Sequence, residues 1–149
     1  MSKRRTGDPW MEPVDYGKSL KGFGLNLLVS DLAVAITFHR QVLAATELYS
    51  DEDVAIFQSG EIQWMLHADH TYEAHPMHKT LKPNVIRGVG AELRVHGRDP
   101  DAAERAARGL NCDVLSPARD QPGHGLREVH LVDPDGYVWV PDVPLAEST

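Results

Sequence analysis

Apolar and polar residues alternate along short segments of this chain, and the pattern divides its first half into predicted elements. Residues 24–29 alternate as a β-strand does, and Ser30 and Asp31 follow with side chains typical of a helix cap. Apolar residues at helical spacing then predict a helix over residues 32–43. Three shorter β-like runs follow, at residues 47–49, 53–58 and 62–67. The first half therefore predicts the order βαβββ.

The same order begins again in the second half, after a polar loop. Residues 90–95 alternate as a strand, and Asp99 followed by Pro100 predicts a helix start for a helix over residues 102–110. Three β-like runs come next, at residues 113–115, 126–132 and 137–141, with a type I turn predicted at 133–136. Because the order repeats, we predict an α+β fold built from two tandem βαβββ modules.

The predicted organisation is an arm followed by two modules. The three parts are an irregular N-terminal arm (residues 1–21), a first module with a histidine-rich loop (22–85) and a second module with a short tail (86–149). We expect the basic run Lys3-Arg4-Arg5 to be a solvated tail. Trp10 and Met11 are candidates for covering a neighbouring subunit in a homodimer.

The composition is that of one acidic domain. The chain has 149 residues, 42% of them hydrophobic, and a formal net charge of −7, which argues against a nucleic-acid partner and favours a cationic or neutral ligand. No apolar leader and no run of about 20 apolar residues is found, so we expect neither secretion nor membrane insertion. A single cysteine, Cys112, predicts an inert buried thiol in the reducing cytoplasm.

Three segments resemble the vicinal-oxygen-chelate superfamily, which includes glyoxalase I, the bleomycin-resistance proteins and the extradiol dioxygenases. They are residues 24–32, residues 38–43 and residues 132–136, and the resemblance extends over about residues 22–145. It implies two βαβββ modules whose strands form a curled mixed sheet around a cavity, often in a dimer. Since one fold hosts many activities, function has to be argued from the site itself.

The resemblance also implies a divalent metal, held by His, Glu or Gln at four strand positions. In this chain those positions are Gly24, Trp64, Gly90 and Val140. Glycine and valine have no donor atom, and the indole nitrogen of tryptophan only donates hydrogen bonds. We therefore expect no metal and no other cofactor.

Side chains alternate across a strand, so the neighbouring positions predict what lines the cavity instead. The predicted ligand-binding set has one flat apolar wall and five polar residues: Trp64, with Asn26, Glu92, Arg94, Glu128 and His130. This mixture suits an organic molecule with a planar part and hydrogen-bonding groups. In the alternative interpretation, Trp64 packs in the core and Glu92 and Arg94 form an exposed ion pair.

These expectations favour metal-independent binding of a small organic molecule, a function similar to that of the bleomycin-resistance proteins. The expected ligand is planar and cationic. The alternative is an enzyme of the lyase, isomerase or dioxygenase type. In one version Glu128 orients His130 as a general base, which makes these two residues the catalytic candidates. In another, displaced histidines hold Fe, Zn, Ni or Mn.

The alternative of a metal site depends on the histidines of the polar loop. Four of the eight histidines lie between residues 67 and 78, as the His-x-x-His pairs His67/His70 and His75/His78. Pro76 and the polar surroundings predict a mobile loop, which does not fix metal geometry unaided. We expect this loop, over about residues 68–87, to cap the pocket or lie in solvent.

Overall fold

The computed structural model describes residues 2–82 and 84–147 of the chain. The predicted arm and modules also include Met1, Pro83 and residues 148–149, which lie outside the described residues. The described residues form three α-helices: α1 (Pro13–Ser19), α2 (Leu32–Gln41) and α3 (Pro100–Gly109). They also form two short 3₁₀ helices: Asp69–Tyr72 and Pro76–Thr80. Their eight strands are β1 (Asn26–Val29), β2 (Thr46–Ser50), β3 (Val54–Ser59), β4 (Ile62–Ala68), β5 (Leu93–His96), β6 (Asp113–Gln121), β7 (Leu126–Val132) and β8 (Val138–Pro144).

The strands form two four-stranded mixed sheets with the same topology. Their orders are β1-β4-β3-β2 and β5-β8-β7-β6, and only the β1–β4 and β5–β8 pairs are parallel. The α+β class and the tandem βαβββ order predicted from the sequence are confirmed. The strands divide between two mixed sheets, and neither sheet closes on itself.

Two segments are more ordered than the sequence predicts. The arm contains α1, which starts at Pro13, a residue whose fixed φ suits the first turn of a helix. Strand β6 extends to Gln121 instead of ending at residue 115, although its pairing with β7 shifts register twice. Such irregular pairing breaks the period-two pattern, so alternation alone did not reveal the full strand.

The chain divides into two compact units. The first contains α1, the first sheet and both 3₁₀ helices, and the second contains the second sheet, α3 and residues 34–45. Most of α2 therefore groups with the second sheet, although its sequence lies in the first predicted module. None of the α-helices in the described part of the chain is long and apolar enough to cross a membrane.

In the first unit, the two faces of the sheet differ in chemistry. One face is core, and its Phe57 and Trp64 stack with ring centroids 6.3 Å apart. Strand register places Asn26, Met65 and Ile56 in one row across β1, β4 and β3, on the opposite face. That opposite face is the one that meets the N-terminal arm.

In the second unit, helix α3 lies on the sheet through small side chains. Ala103 and Ala107 are fully buried, which lets the helix backbone approach strands β6, β7 and β8 closely. Asp99 caps the helix as predicted, since its Oδ1 accepts the backbone N–H of Asp101 at 2.9 Å. On the same side of the sheet, the ring of His39 meets Trp139 edge-on at 4.9 Å, and burial lowers the pKa of His39 to about 3.

The turn between β7 and β8 is the predicted hairpin connection. The backbone N–H of Gly136 donates to the carbonyl of Asp133 at 3.0 Å, and Gly136 has a φ of 93°. The residues just before β5 pack against this turn, and the N–H of Arg87 donates to the carbonyl of Asp135 at 2.9 Å. A Cβ atom at Gly136 would lie 2.7 Å from Cγ2 of Ile86. Only glycine fits here without strain.

We expect Gly136→Ala to lower the free energy of unfolding by about 2 kcal/mol or more, because the substitution adds both a positive-φ penalty and a steric overlap. The measurement is urea unfolding at neutral pH. Gly109→Ala is the matched control, since nothing lies within 4 Å of its added Cβ. Equal stability of the two variants would contradict this account of the turn.

Candidate functional site

Four of the predicted site residues come together on one face of the second sheet. Glu128 and His130 lie two apart on β7, and Arg94 lies on β5. Asp142 on β8 is paired in register with Glu128, so its side chain points to the same face. Glu92, directly before β5, completes the group.

Arg94 is the centre of this group. Its Nε donates to Oδ2 of Asp142 at 3.0 Å, its Nη1 donates to Oε2 of Glu92 at 3.1 Å, and its Nη2 donates to Oε2 of Glu128. Asp142 and Glu128 are 1% and 5% exposed, so they are buried charges that need this guanidinium. We call Arg94, Glu92, Glu128 and Asp142 the carboxylate cluster.

Each carboxylate of the cluster also contacts one histidine. The three pairs are His130 Nε2 with Glu92 Oε1 at 2.9 Å, His124 Nε2 with Glu128 Oε2 at 3.2 Å, and His96 Nδ1 with Asp142 Oδ1 at 2.7 Å. The sequence interpretation had Glu128 orienting His130; this pairing is wrong, because the carboxylate on His130 is that of Glu92. Glu128 and His130 lie on the same face of β7, but each forms its contact with a different side chain.

The cluster is strongly negative around one cation. Burial alone would raise the pKa of Glu128, but hydrogen bonds from Arg94 and His124 lower it overall. The hydrogen bond from His130 is the main reason why the pKa of Glu92 is lowered. Three carboxyl groups thus face a single guanidinium on this side of the sheet.

The other two predicted site residues, Asn26 and Trp64, lie in the first unit. Asn26 is in register with Met65, so Trp64, one residue earlier on β4, points to the other face of the sheet. Trp64 is 5% exposed and stacks on Phe57. Its interpretation as a flat wall on the same face as Asn26 is therefore corrected in favour of core packing. Both residues border a cavity of about 360 Å³ near Gly24.

The N-terminal arm is anchored to the first sheet by Asp53, a side chain that sequence reasoning missed. Asp53 Oδ1 accepts the backbone N–H of Arg4 at 2.7 Å, and its Oδ2 accepts that of Arg5 at 3.4 Å. His70 Nε2 lies 2.7 Å from the same carboxylate. Burial would raise the pKa of Asp53, but these partners lower it overall. The backbone of Arg4 and Arg5 is therefore anchored to the first sheet, while Arg4 stays exposed, as the solvated-tail prediction expects.

The anchored arm covers a cavity of about 330 Å³, which we call the arm pocket. Its outer wall is formed by Trp10, Met11 and Tyr16, and its floor by the sheet face that carries Asn26, Tyr49, Ile56, Met65 and His67. The rings of Trp10 and Tyr49 stack at 5.8 Å with only 16° between their planes. Trp10 and Met11, expected against a neighbouring subunit, thus contact their own chain.

The histidine-rich segment is ordered and does not form a chelating group. His70 binds Asp53, and Nδ1 of His75 accepts the backbone N–H of Met77 at 3.0 Å. Both ring nitrogens of His67 are buried and have no hydrogen-bond partner. Across residues 2–82 and 84–147, no group of three or more His, Cys, Asp or Glu side chains is arranged to hold a metal ion. The mobile-loop prediction is replaced by two 3₁₀ helices.

The metal that the resemblance implies does not fit the four strand positions either. Gly24 and Gly90 offer no side-chain donor, Val140 is fully buried, and Trp64 packs in the core. Cys112 is half-buried, and burial raises the pKa of its thiol, so it is a poor metal ligand at neutral pH.

Comparison with known proteins identifies the fold. A glyoxalase-related enzyme from Fulvimarina pelagi is 16% identical, with 83% of this chain and 88% of that chain covered and a TM-score of 0.64. A glyoxalase/bleomycin resistance protein/dioxygenase from Nocardioides is 18% identical, with 93% and 95% covered and a TM-score of 0.59. The fosfomycin resistance protein FosX from Mesorhizobium loti is 16% identical, with 83% and 92% covered and a TM-score of 0.58.

No protein-family model and no curated protein sequence matches the chain. At sequence identities of 16% to 18%, the likeness to these solved structures is a likeness of fold alone. The chain therefore has the fold of the vicinal-oxygen-chelate proteins, as its sequence segments predicted.

We expect Asp53→Asn to release the arm, because the asparagine amide places an N–H₂ donor against the donors that the carboxylate accepts. Limited trypsin digestion followed by mass spectrometry should show cleavage after Arg4 and Arg5 at least about fivefold faster than in the unmodified protein. Glu52→Gln, an exposed neighbour, is the charge-matched control. Unchanged cleavage in the Asp53 variant would rule out the anchor.

Proposed function

We propose that this protein binds a small planar organic molecule in the arm pocket, without a metal ion. The observation that carries the proposal is the pocket itself: about 330 Å³, within the range of small-molecule sites. Its walls are mostly apolar, with the Trp10–Tyr49 stack and Tyr16 as aromatic surfaces. Flat aromatic walls favour a flat ligand, because stacked rings attract beyond the area that they bury.

Charge and fold support the same class of ligand. The net charge of −7 favours a neutral or cationic molecule over an anion. Proteins of this fold include some named for bleomycin resistance and fosfomycin resistance, names that concern small molecules. The misfit of a metal at the four strand positions supports metal-independent binding. As partners we propose the small molecule and a second copy of the chain, rather than nucleic acid or a membrane.

The test uses two planar bicyclic probes of opposite charge, 1-methylquinolinium and naphthalene-2-sulfonate. We expect the cation to quench tryptophan fluorescence and to raise the melting temperature, and the anion to bind more weakly. Trp10→Ala should weaken binding of the cation about tenfold, because it removes one aromatic wall. Phe23→Ala is the control, since Phe23 is 89% exposed and lies outside the arm pocket. If neither probe binds, the proposal fails.

A second candidate function is metal-free acid–base chemistry at the carboxylate cluster. It is favoured by the contact of 2.9 Å between His130 and Glu92, with the side chain of His130 only 19% exposed. A carboxylate that fixes the orientation of an imidazole is the arrangement of a general base.

For this second function we expect the protein to catalyse exchange of deuterium from solvent into hydroxyacetone, followed by proton NMR. His130→Ala should slow the exchange by about 100-fold or more, the usual contribution of a positioned base. His124→Ala should leave it nearly unchanged, because His124 contacts Glu128 and not Glu92. Exchange that is absent, or insensitive to His130, would exclude this chemistry.

A further inference from the structure

We infer that His67 selects the ligand of the arm pocket, and that this ligand is a planar aromatic molecule with an O–H or N–H group that donates to the imidazole. The inference rests on the proposed function, since it names the class of molecule for the same pocket. It begins from an unusual feature of that pocket: one polar ring in a wall that is otherwise mostly apolar.

The imidazole of His67 has no partner for either nitrogen. Nδ1 and Nε2 are both buried and form no hydrogen bond with the protein. A neutral imidazole carries one donor and one acceptor, and leaving buried polar atoms unpaired is unfavourable. Its ring neighbour Tyr72 is edge-on with centroids 5.5 Å apart, which is an aromatic contact and not a hydrogen bond. The site therefore gains more from a polar group on the ligand than from an apolar one.

Strand pairing explains why the protein itself does not satisfy His67. Across the sheet, His67 is in register with Leu28 on β1 and Val54 on β3, and neither side chain can hydrogen-bond. His70, three residues further on, turns instead to Asp53. Two histidines from the same His-x-x-His pair thus have opposite environments: one is fixed by a carboxylate, and the other is left for a partner from outside the chain.

His67 borders two hollows of the first unit. One is the arm pocket, and the other, of about 320 Å³, is formed with Thr71, Tyr72 and His75. Both of its nitrogens are covered in this structure, so a rotation of the ring about its Cβ–Cγ bond is required to form a hydrogen bond with a ligand. A ligand in the arm pocket supplies the partner that makes this rotation favourable.

The protonation state of His67 decides which ligand group is favoured. Burial lowers the pKa of His67, so the ring is neutral at pH 7 and keeps a basic nitrogen that accepts hydrogen bonds. A phenolic O–H or a heteroaromatic N–H can donate to that nitrogen while its ring lies against Trp10 and Tyr49. An aromatic ether or hydrocarbon of the same shape fills the pocket but leaves the nitrogen unpaired.

The experiment compares 2-naphthol with 2-methoxynaphthalene, which share a ring system but differ in the O–H donor. We expect the full chain to bind 2-naphthol about tenfold more tightly, as measured by isothermal titration calorimetry. His67→Phe should bind the two probes with equal affinity, because it keeps a flat ring and removes the acceptor. His78→Phe, in the adjacent 3₁₀ helix and outside the arm pocket, is the control and should keep the preference for 2-naphthol.

A measurement on the unsubstituted protein makes the inference independent of whether His67→Phe folds. In nitrogen-15 NMR of histidine-labelled protein, 2-naphthol should shift the accepting nitrogen of His67 upfield by several ppm, and 2-methoxynaphthalene should not. If both probes bind equally and the nitrogen does not shift, the role of His67 is overturned while binding in the pocket stands. If neither probe binds, the proposed function fails and the inference fails with it.

Discussion

The carboxylate of Asp53 is fully buried in the first unit, and a buried charge is stable only when donors surround it. Its donors come from segments far apart in sequence: the amides of Arg4 and Arg5, and the ring of His70. One side chain thus ties together the arm, the β2–β3 turn and the histidine-rich segment. This contact fixes the start of the arm, and further along the arm Trp10 and Tyr16 form the outer wall of the arm pocket.

In the second unit, the buried carboxylates are paired with an arginine side chain instead of backbone amides. Glu128 and Asp142 are paired with Arg94, whose planar guanidinium directs its N–H groups at both of them and at Glu92. A lysine here would offer a point charge without that fixed geometry. Because each carboxylate also contacts a histidine, the face combines a central guanidinium with imidazoles at its edge.

The sequence predicts local order well and long-range partners poorly. Alternation located most strands within a few residues, and the repeat of βαβββ predicted the fold, because both patterns depend on neighbours in sequence. The face to which a side chain points depends on the strand register. An error of one residue in the predicted register placed Trp64 on the cavity face, whereas it lies on the core face. Asp142 lies just beyond the predicted end of its strand, and the anchor of the arm joins residues 49 positions apart, so neither left a periodic signal.

Corresponding strands of the two sheets have diverged in chemistry while keeping the same order. The β1–β4 face carries Asn26 and Met65, which are neutral, whereas the β5–β8 face carries Arg94 and Asp142, which are charged. An apolar face gains free energy by covering flat apolar surface, and a charged face gains it by orienting polar groups and moving protons. A duplicated module can therefore supply ligand binding from one copy and polar chemistry from the other. The two faces also differ in their histidines: His130 contacts the carboxylate of Glu92 at 2.9 Å, whereas the buried ring nitrogens of His67 have no hydrogen-bond partner in the protein.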